Sequence, residues 1–194
     1  MSTETIIALR NLKKVFDDKG TRVLDRGYDS NTIFEELIKS KVNFIVRCKQ
    51  NRDIYYKDKK INILSFANKG KGKYVLNFKN KCGKEAYCKV SILSIELPNF
   101  RGIKLNLVVC HGFGMKPLIL ITNITNDDKK ICTSITKAYL LRWRIEEYYR
   151  LKKEHFGFED IRVRSLRSIR NLSTILNMAL GFLAFLGENW LKVN

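Results

Sequence analysis

Nineteen residues from Ala138 to Phe156, AYLLRWRIEEYYRLKKEHF, run without proline or glycine and consist mostly of strong helix formers. The sequence predicts one helix there. At about 100° per residue, Tyr139 and Lys153 fall within about 20° of Glu146, and Arg142 within about 40°. The four side chains then form one strip about 20 Å long. Leu141, Ile145 and Tyr148 take another side and can meet a core. A carboxylate flanked by Arg and Lys suits a metal ion beside a phosphate backbone: Glu146 ligates the cation while Arg142 and Lys153 take phosphate oxygens. The same strip also reads as a solvated face with salt bridges between residues three or four apart. The helix alone does not decide between the two.

The rest of the chain supplies strands. Thr3 to Asp18 has apolar residues at helical spacing (Ile6, Leu9, Leu12, Val15, Phe16), and Gly20 stands where a C-cap is expected. Thr21 to Leu24 reads as a short strand that ends on Asp25, a position from which a side chain reaches a cleft while the strand fixes its backbone. Asp25 could equally be a cap or turn residue, although Asp29 or Ser30 suits the helix from Asn31 to Ser40 better. Val42 to Cys48 is a second strand, so strand, helix and strand follow in crossover order. From Asn51 to about Arg101, basic loops alternate with apolar runs. Tyr74 to Phe78 and Ala86 to Leu97 are joined by the turn signal Asn80-Lys81-Cys82-Gly83-Lys84, and Ile61 to Ala67 fits strand or helix. Ile103 to Cys110 and Leu118 to Thr122 are further strands, with a tight turn at His111-Gly112-Phe113-Gly114 between them. Gly157 ends the long helix. A second helix runs from Leu166 to about Leu191, preceded and opened by Arg162, Arg164, Arg167 and Arg170, a cluster suited to phosphate backbones. Leu172 to Leu191 is apolar but interrupted by Asn177, Glu188 and Asn189, which favours a core helix packed on the sheet over a membrane span.

Charge narrows the function. Lys plus Arg is 37 and Asp plus Glu is 19, so the net charge is 37 − 19 = +18. Such a surplus favours a polyanionic partner, nucleic acid first; a soluble lysine-rich surface with no partner is the alternative. The five cysteines lack any C-x2-C pair, which removes the common zinc frameworks and points to reduced thiols and a cytoplasmic setting. With only His111 and His155, a histidine-based triad or metal centre has little support. Trp143 could stack on a base or fill the core rim.

Tyr139, Arg142, Glu146 and Lys153 also match Tyr-x2-Arg-x3-Glu-x6-Lys, and Leu24-Asp25-Arg26-Gly27-Tyr28 matches an Asp-Arg-Gly-Tyr segment. Together and in this order they resemble the insertion-sequence-four family of DDE transposases, from about Thr21 to the last helix. The resemblance implies an α/β fold: a partial ribonuclease-H-like core, a mixed sheet with helices, interrupted by a β-rich insertion. Residues 1–50 would form the first part of that core, truncated at its N-terminal side, 51–101 the insertion, and 102–194 the remaining strands, the signature helix and the C-terminal helices. Val42 to Cys48 resembles the strand after the family's second Asp, with trailing basic residues Arg47, Lys49 and Arg52.

The implied activity is metal-dependent DNA cleavage and strand transfer, with Mg²⁺ as cofactor and Mn²⁺ as substitute. Asp25 matches the second catalytic, metal-holding Asp and Glu146 the Glu. Tyr139, Arg142 and Lys153 would hold phosphates, and Arg26, Arg162, Arg164 and Arg167 are further candidate DNA contacts. The implied partners are duplex DNA, as transposon ends and target, and a second copy in a full-length homodimer, with no membrane. The family's first Asp has no counterpart on a strand before Asp25, since Asp17 and Asp18 end a helix. The chain therefore reads as a C-terminal portion of a transposase, with no cleavage expected from it alone. A nucleic-acid-binding module without catalysis and a related metal-dependent nuclease are the other readings.

Overall fold

The computed structural model describes residues 2–16, 19–69, 72–79, 85–125, 128–157, 160, 162–163 and 165–193, with the side chains of 2, 79 and 188–193 left aside. The described residues divide into two compact units, Met1–Trp143 and Arg144–Asn194. In the first unit the order is α1 (Ser2–Phe16), β1 (Thr21–Leu24), a single 3-10 turn (Arg26–Tyr28), α2 (Asn31–Lys39), β2 (Asn43–Arg47), β3 (Asp53–Tyr56), β4 (Lys59–Asn62), α3 (Ile63–Lys69), β5 (Tyr74–Lys79), β6 (Glu85–Leu97), β7 (Phe100–His111), β8 (Leu118–Thr122) and α4 (Lys129–Leu141). The helix α5 (Trp143–Glu154) follows, then α6 (Leu166–Val193) in the second unit.

The eight described strands form one mixed sheet in the order β1-β2-β8-β7-β6-β3-β4, with β5 paired to β6. β1 and β2 are parallel and joined through α2; β2–β8, β8–β7 and β7–β6 are antiparallel. This is an α/β architecture of the ribonuclease-H-like kind. Residues alternate between the two faces as strand geometry requires. Phe44, Val46, Leu105, Leu107, Val109, Ile119 and Ile121 face one core, which Ile33, Phe34 and Leu37 of α2 and Ile63 and Ala67 of α3 complete. Ile45, Val108, Cys110, Leu118 and Leu120 face the other, covered by Cys132, Ile135 and Tyr139 of α4. All five residues of β8 are buried, because helices cover both faces there. At its end Thr122 Oγ1 donates to Phe44 O (2.6 Å), and Asn123 takes Phe44 N (3.0 Å) and gives to Val42 O (2.9 Å), which fixes the β2–β8 register.

Several local features explain where the sequence reading and the structure agree or part. Ser30 caps α2, its hydroxyl accepting from Ile33 N. Ile61 to Ala67 is half strand and half helix: Asn62 closes β4 and accepts from Leu64 N and Ser65 N to start α3. The β3–β4 hairpin turns on Lys57 and Asp58, both left-handed at φ 49° and 61°, the conformation of a type I′ turn. Gly112 has φ 120°, and a Cβ there would come 3.0 Å from Tyr87 O, so the turn after β7 needs glycine. Asp17 and Asp18, and the Asn80-to-Lys84 turn signal, lie outside the described residues. The described cysteines, Cys48, Cys88, Cys110 and Cys132, are free thiols in the core. Burial pushes them up, Cys88 and Cys132 to about 11 and Cys110 to about 12, so they are neutral and inert.

Two expectations are corrected. The stretch from Ala138 to Phe156 is not one helix. Arg142 separates α4 from α5, and its N–H bonds Tyr139 O (3.0 Å), a one-turn tightening in place of the usual bond four residues back. Second, α6 is not buried: Ile175, Met178, Phe182 and Phe185 are exposed, while Leu172, Leu176 and Leu180 are half-buried. Its Leu166–Gly187 stretch is by length and composition apolar enough to cross a membrane.

Candidate functional site

β1 and β2 run parallel in the register Leu24↔Val46, so their next residues, Asp25 and Arg47, emerge side by side at one end of the sheet. Asp25 is extended (φ −82°, ψ 172°) and opens the 3-10 turn with its carbonyl, which accepts from Tyr28 N at 2.9 Å. Its side chain makes no capping bond, so the carboxylate is left for other partners. They come from two directions. α4 starts on Asp128, whose side chain accepts from Ile131 N, and packs Cys132, Ile135, Thr136 and Tyr139 against the sheet. That face delivers the Tyr139 hydroxyl to Asp25 Oδ1, donating at 3.0 Å. Arg142, where α4 ends, places Nη2 4.0 Å from Asp25 Oδ2, and Arg47 Nη1 lies 3.7 Å from Oδ1.

The electrostatics follow from these contacts. Burial works to raise Asp25, but the Arg26 backbone N–H, the Tyr139 hydroxyl and the charges of Arg142 and Arg47 outweigh it and hold the carboxyl below its ordinary value. Tyr139 is raised, by burial first and also by Asp25, so it stays a proton donor at neutral pH even though the positive charge of Arg47 pulls the other way. The corner therefore holds an ionised carboxylate, a neutral phenol and two guanidinium groups. One carboxylate between two arginines is not by itself a divalent-cation site. No group of three His, Cys, Asp or Glu side chains suited to a metal occurs among the described residues.

Arg26 is exposed in the 3-10 turn next to Asp25. The break at Arg142 divides the expected strip: Tyr139 and Arg142 belong to the first unit, Glu146 and Lys153 to the second. Glu146 is exposed in the first turn of α5 and Lys153 in its last. Part of the α5 surface is indeed laced with ion pairs, Arg150 lying 3.9 Å from Glu147 and 4.0 Å from Glu154. Arg162 and Arg167 are exposed, and Arg164 lies outside the described residues.

Two groups escaped the sequence reading as site residues. Arg47 was noted only as a basic residue after a strand; the parallel crossover of two strands ending at Asp25 and Arg47 was the available signal. The buried lysine of α5 is Lys152, not Lys153. Its Nζ donates to Asn177 Oδ1 at 2.8 Å, Tyr148 donates to the same oxygen at 2.6 Å, and the rings of Tyr148 and Tyr149 lie 5.2 and 5.8 Å from the ammonium. This gives Asn177 a structural role in the otherwise apolar α6.

No curated protein matches the chain. Residues 3–182 match the family model described as "Transposase DDE domain", a span that takes in both units and every element from α1 to most of α6. Members of that family act on DNA in transposition and are in general dependent on divalent metal ions. Nearly the whole chain is covered, and the chain belongs to the transposase DDE domain family.

Proposed function

We propose that this protein is a DNA transposase of the insertion-sequence-four group. Its substrates would be duplex transposon ends and target DNA, and its activity DNA cleavage and strand transfer. Asp25 and Glu146 are the proposed catalytic carboxylates. They would hold the divalent ion, Mg²⁺ with Mn²⁺ as substitute. Tyr139, Arg142 and Lys153 are the proposed phosphate-binding residues, with Arg26, Arg162, Arg164 and Arg167 as further contacts. A homodimer acting in the cytoplasm fits this reading, and we propose no membrane partner: Asn177, midway along the apolar stretch of α6, is tied to Lys152 and Tyr148, which suits a packed helix pair.

One observation carries the proposal. Two segments of the signature, 114 residues apart, meet in the Tyr139–Asp25 hydrogen bond. The phenol orients the carboxylate, and the neighbouring arginines keep it ionised and offer donors to phosphate oxygens. A nucleic-acid-binding module is the second reading, favoured by the lack of a three-acid cluster among the described residues.

The test uses Arg142→Ala and Lys153→Ala. Arg142 is only 22% exposed, and it is held to Asp25 by a 4.0 Å contact. Each variant should weaken binding of a labelled duplex by roughly tenfold, as loss of a charge-assisted hydrogen bond does, and shift the melting temperature little. Variants that bind as wild type, or lose binding only by unfolding, would make the signature a structural feature.

A further inference from the structure

Arg47 lies outside the Tyr-Arg-Glu-Lys pattern, yet it is the most firmly placed cation at the Asp25 corner. β2 is hydrogen-bonded on both sides, with Val46 opposite Leu24 of β1 and Arg47 opposite Leu120 of β8, so the backbone that carries Arg47 is fixed. Its guanidinium stands 3.7 Å from Asp25 Oδ1, an ionic contact longer than a hydrogen bond. A guanidinium has five N–H donors, so donors remain for another acceptor. The Asp25 and Arg47 side chains are each 40% exposed and Arg142 is 22% exposed, so solvent, and hence a phosphate, reaches all three. Arg47, with its charge and its remaining N–H donors, can take a phosphate oxygen at this corner.

We infer that Arg47 is a phosphate-binding residue, that the Asp25 corner takes a DNA backbone phosphate without any divalent cation, and that Asp25 and the phosphate compete for Arg47. The inference rests on the DNA-processing function proposed above. It adds a residue that the signature omits and an order of events: backbone capture at this corner does not wait for metal. In the free protein, Asp25 is the counter-ion that keeps the two arginines in place; a phosphate oxygen then takes over part of that role.

The competition has an unusual consequence. Replacing Arg47 should weaken binding, whereas neutralising Asp25 should strengthen it, and the second effect should depend on the first residue. The experiment measures binding of a labelled random-sequence duplex to the full chain in EDTA at several salt concentrations. Compared are wild type, Arg47→Gln, Arg47→Lys, Asp25→Asn and the Asp25→Asn/Arg47→Gln pair, each checked for folding by circular dichroism. Wild type should bind. Arg47→Gln should bind about tenfold more weakly, with the slope of log affinity against log salt reduced by about 0.9. Arg47→Lys should keep the slope and lose part of the affinity, because it retains the charge without the planar fork. Asp25→Asn should bind several-fold more tightly, and that gain should vanish in the pair. An unchanged affinity and slope for Arg47→Gln, or the same gain from Asp25→Asn with and without Arg47, overturns the assignment while leaving the DNA-binding reading intact. Failure of wild type to bind duplex at low salt overturns both.

Discussion

Arg52→Ala is expected to destabilise the first unit by about 3–5 kcal/mol, the usual consequence of leaving one partner of a buried ion pair behind. The side chain of Asp29 is fully buried and that of Arg52 nearly so, with Nη2 2.5 Å and Nε 2.7 Å from Asp29 Oδ1. Arg52 also donates to Asn31 and stacks on Phe34, its guanidinium carbon 5.0 Å from the ring centre. Without Arg52, Asp29 keeps the Lys49 N–H as its one remaining hydrogen bond from this network, which does not replace a charge. The pair ties the start of α2 to the loop after β2 and so braces the segment between Asp25 and Arg47. Denaturant unfolding should show the loss as a lower midpoint at unchanged slope. Arg52→Lys should lose less. Near-wild-type stability of Arg52→Ala would mean that water enters and the pair is not buried in solution.

The second large effect is on DNA affinity. If one duplex engages Arg26, Arg47, Arg142, Lys153, Arg162 and Arg167, about six phosphates are neutralised, and log affinity should fall with log salt at a slope near −5. Affinity should then drop by about a thousandfold between about 50 mM and about 200 mM salt. The net charge of +18 provides the long-range attraction that precedes these contacts. A fluorescence anisotropy titration at several salt concentrations measures the slope. A slope near zero would remove backbone contact as the basis of binding.

How much of this could be read from the sequence varies by element, for physical reasons. β8 has the expected ends because it is a short apolar run closed by Thr122, and β1 because it lies between Gly20 and the Asp25 turn. The Asp25–Tyr139 hydrogen bond is not among the sequence expectations, which give Tyr139 to phosphate and pair Asp25 with Glu146; it follows from the end of a parallel strand and the buried face of α4. The break at Arg142 is not legible, because no proline or glycine marks it and most residues around it are compatible with a continuous helix. The β3–β4 hairpin was missed because Lys57-Asp58 lacks the Asn-Gly signal of its turn type. For α6, composition established an apolar helix but not what covers it. Arg47 needed the strand register, which no single residue encodes.

The proposed function makes Asp25 and Glu146 the carboxylates that hold the divalent ion. The most direct measurement is Mn²⁺ binding by electron paramagnetic resonance to wild type, Asp25→Asn and Glu146→Gln, each confirmed to be folded. Asp25 alone, beside Arg47 and Arg142, should not retain the ion, so the proposed assignment predicts weak binding by wild type that is lost in both variants. Binding that survives either substitution would show that the two carboxylates do not share an ion and would contradict the assignment.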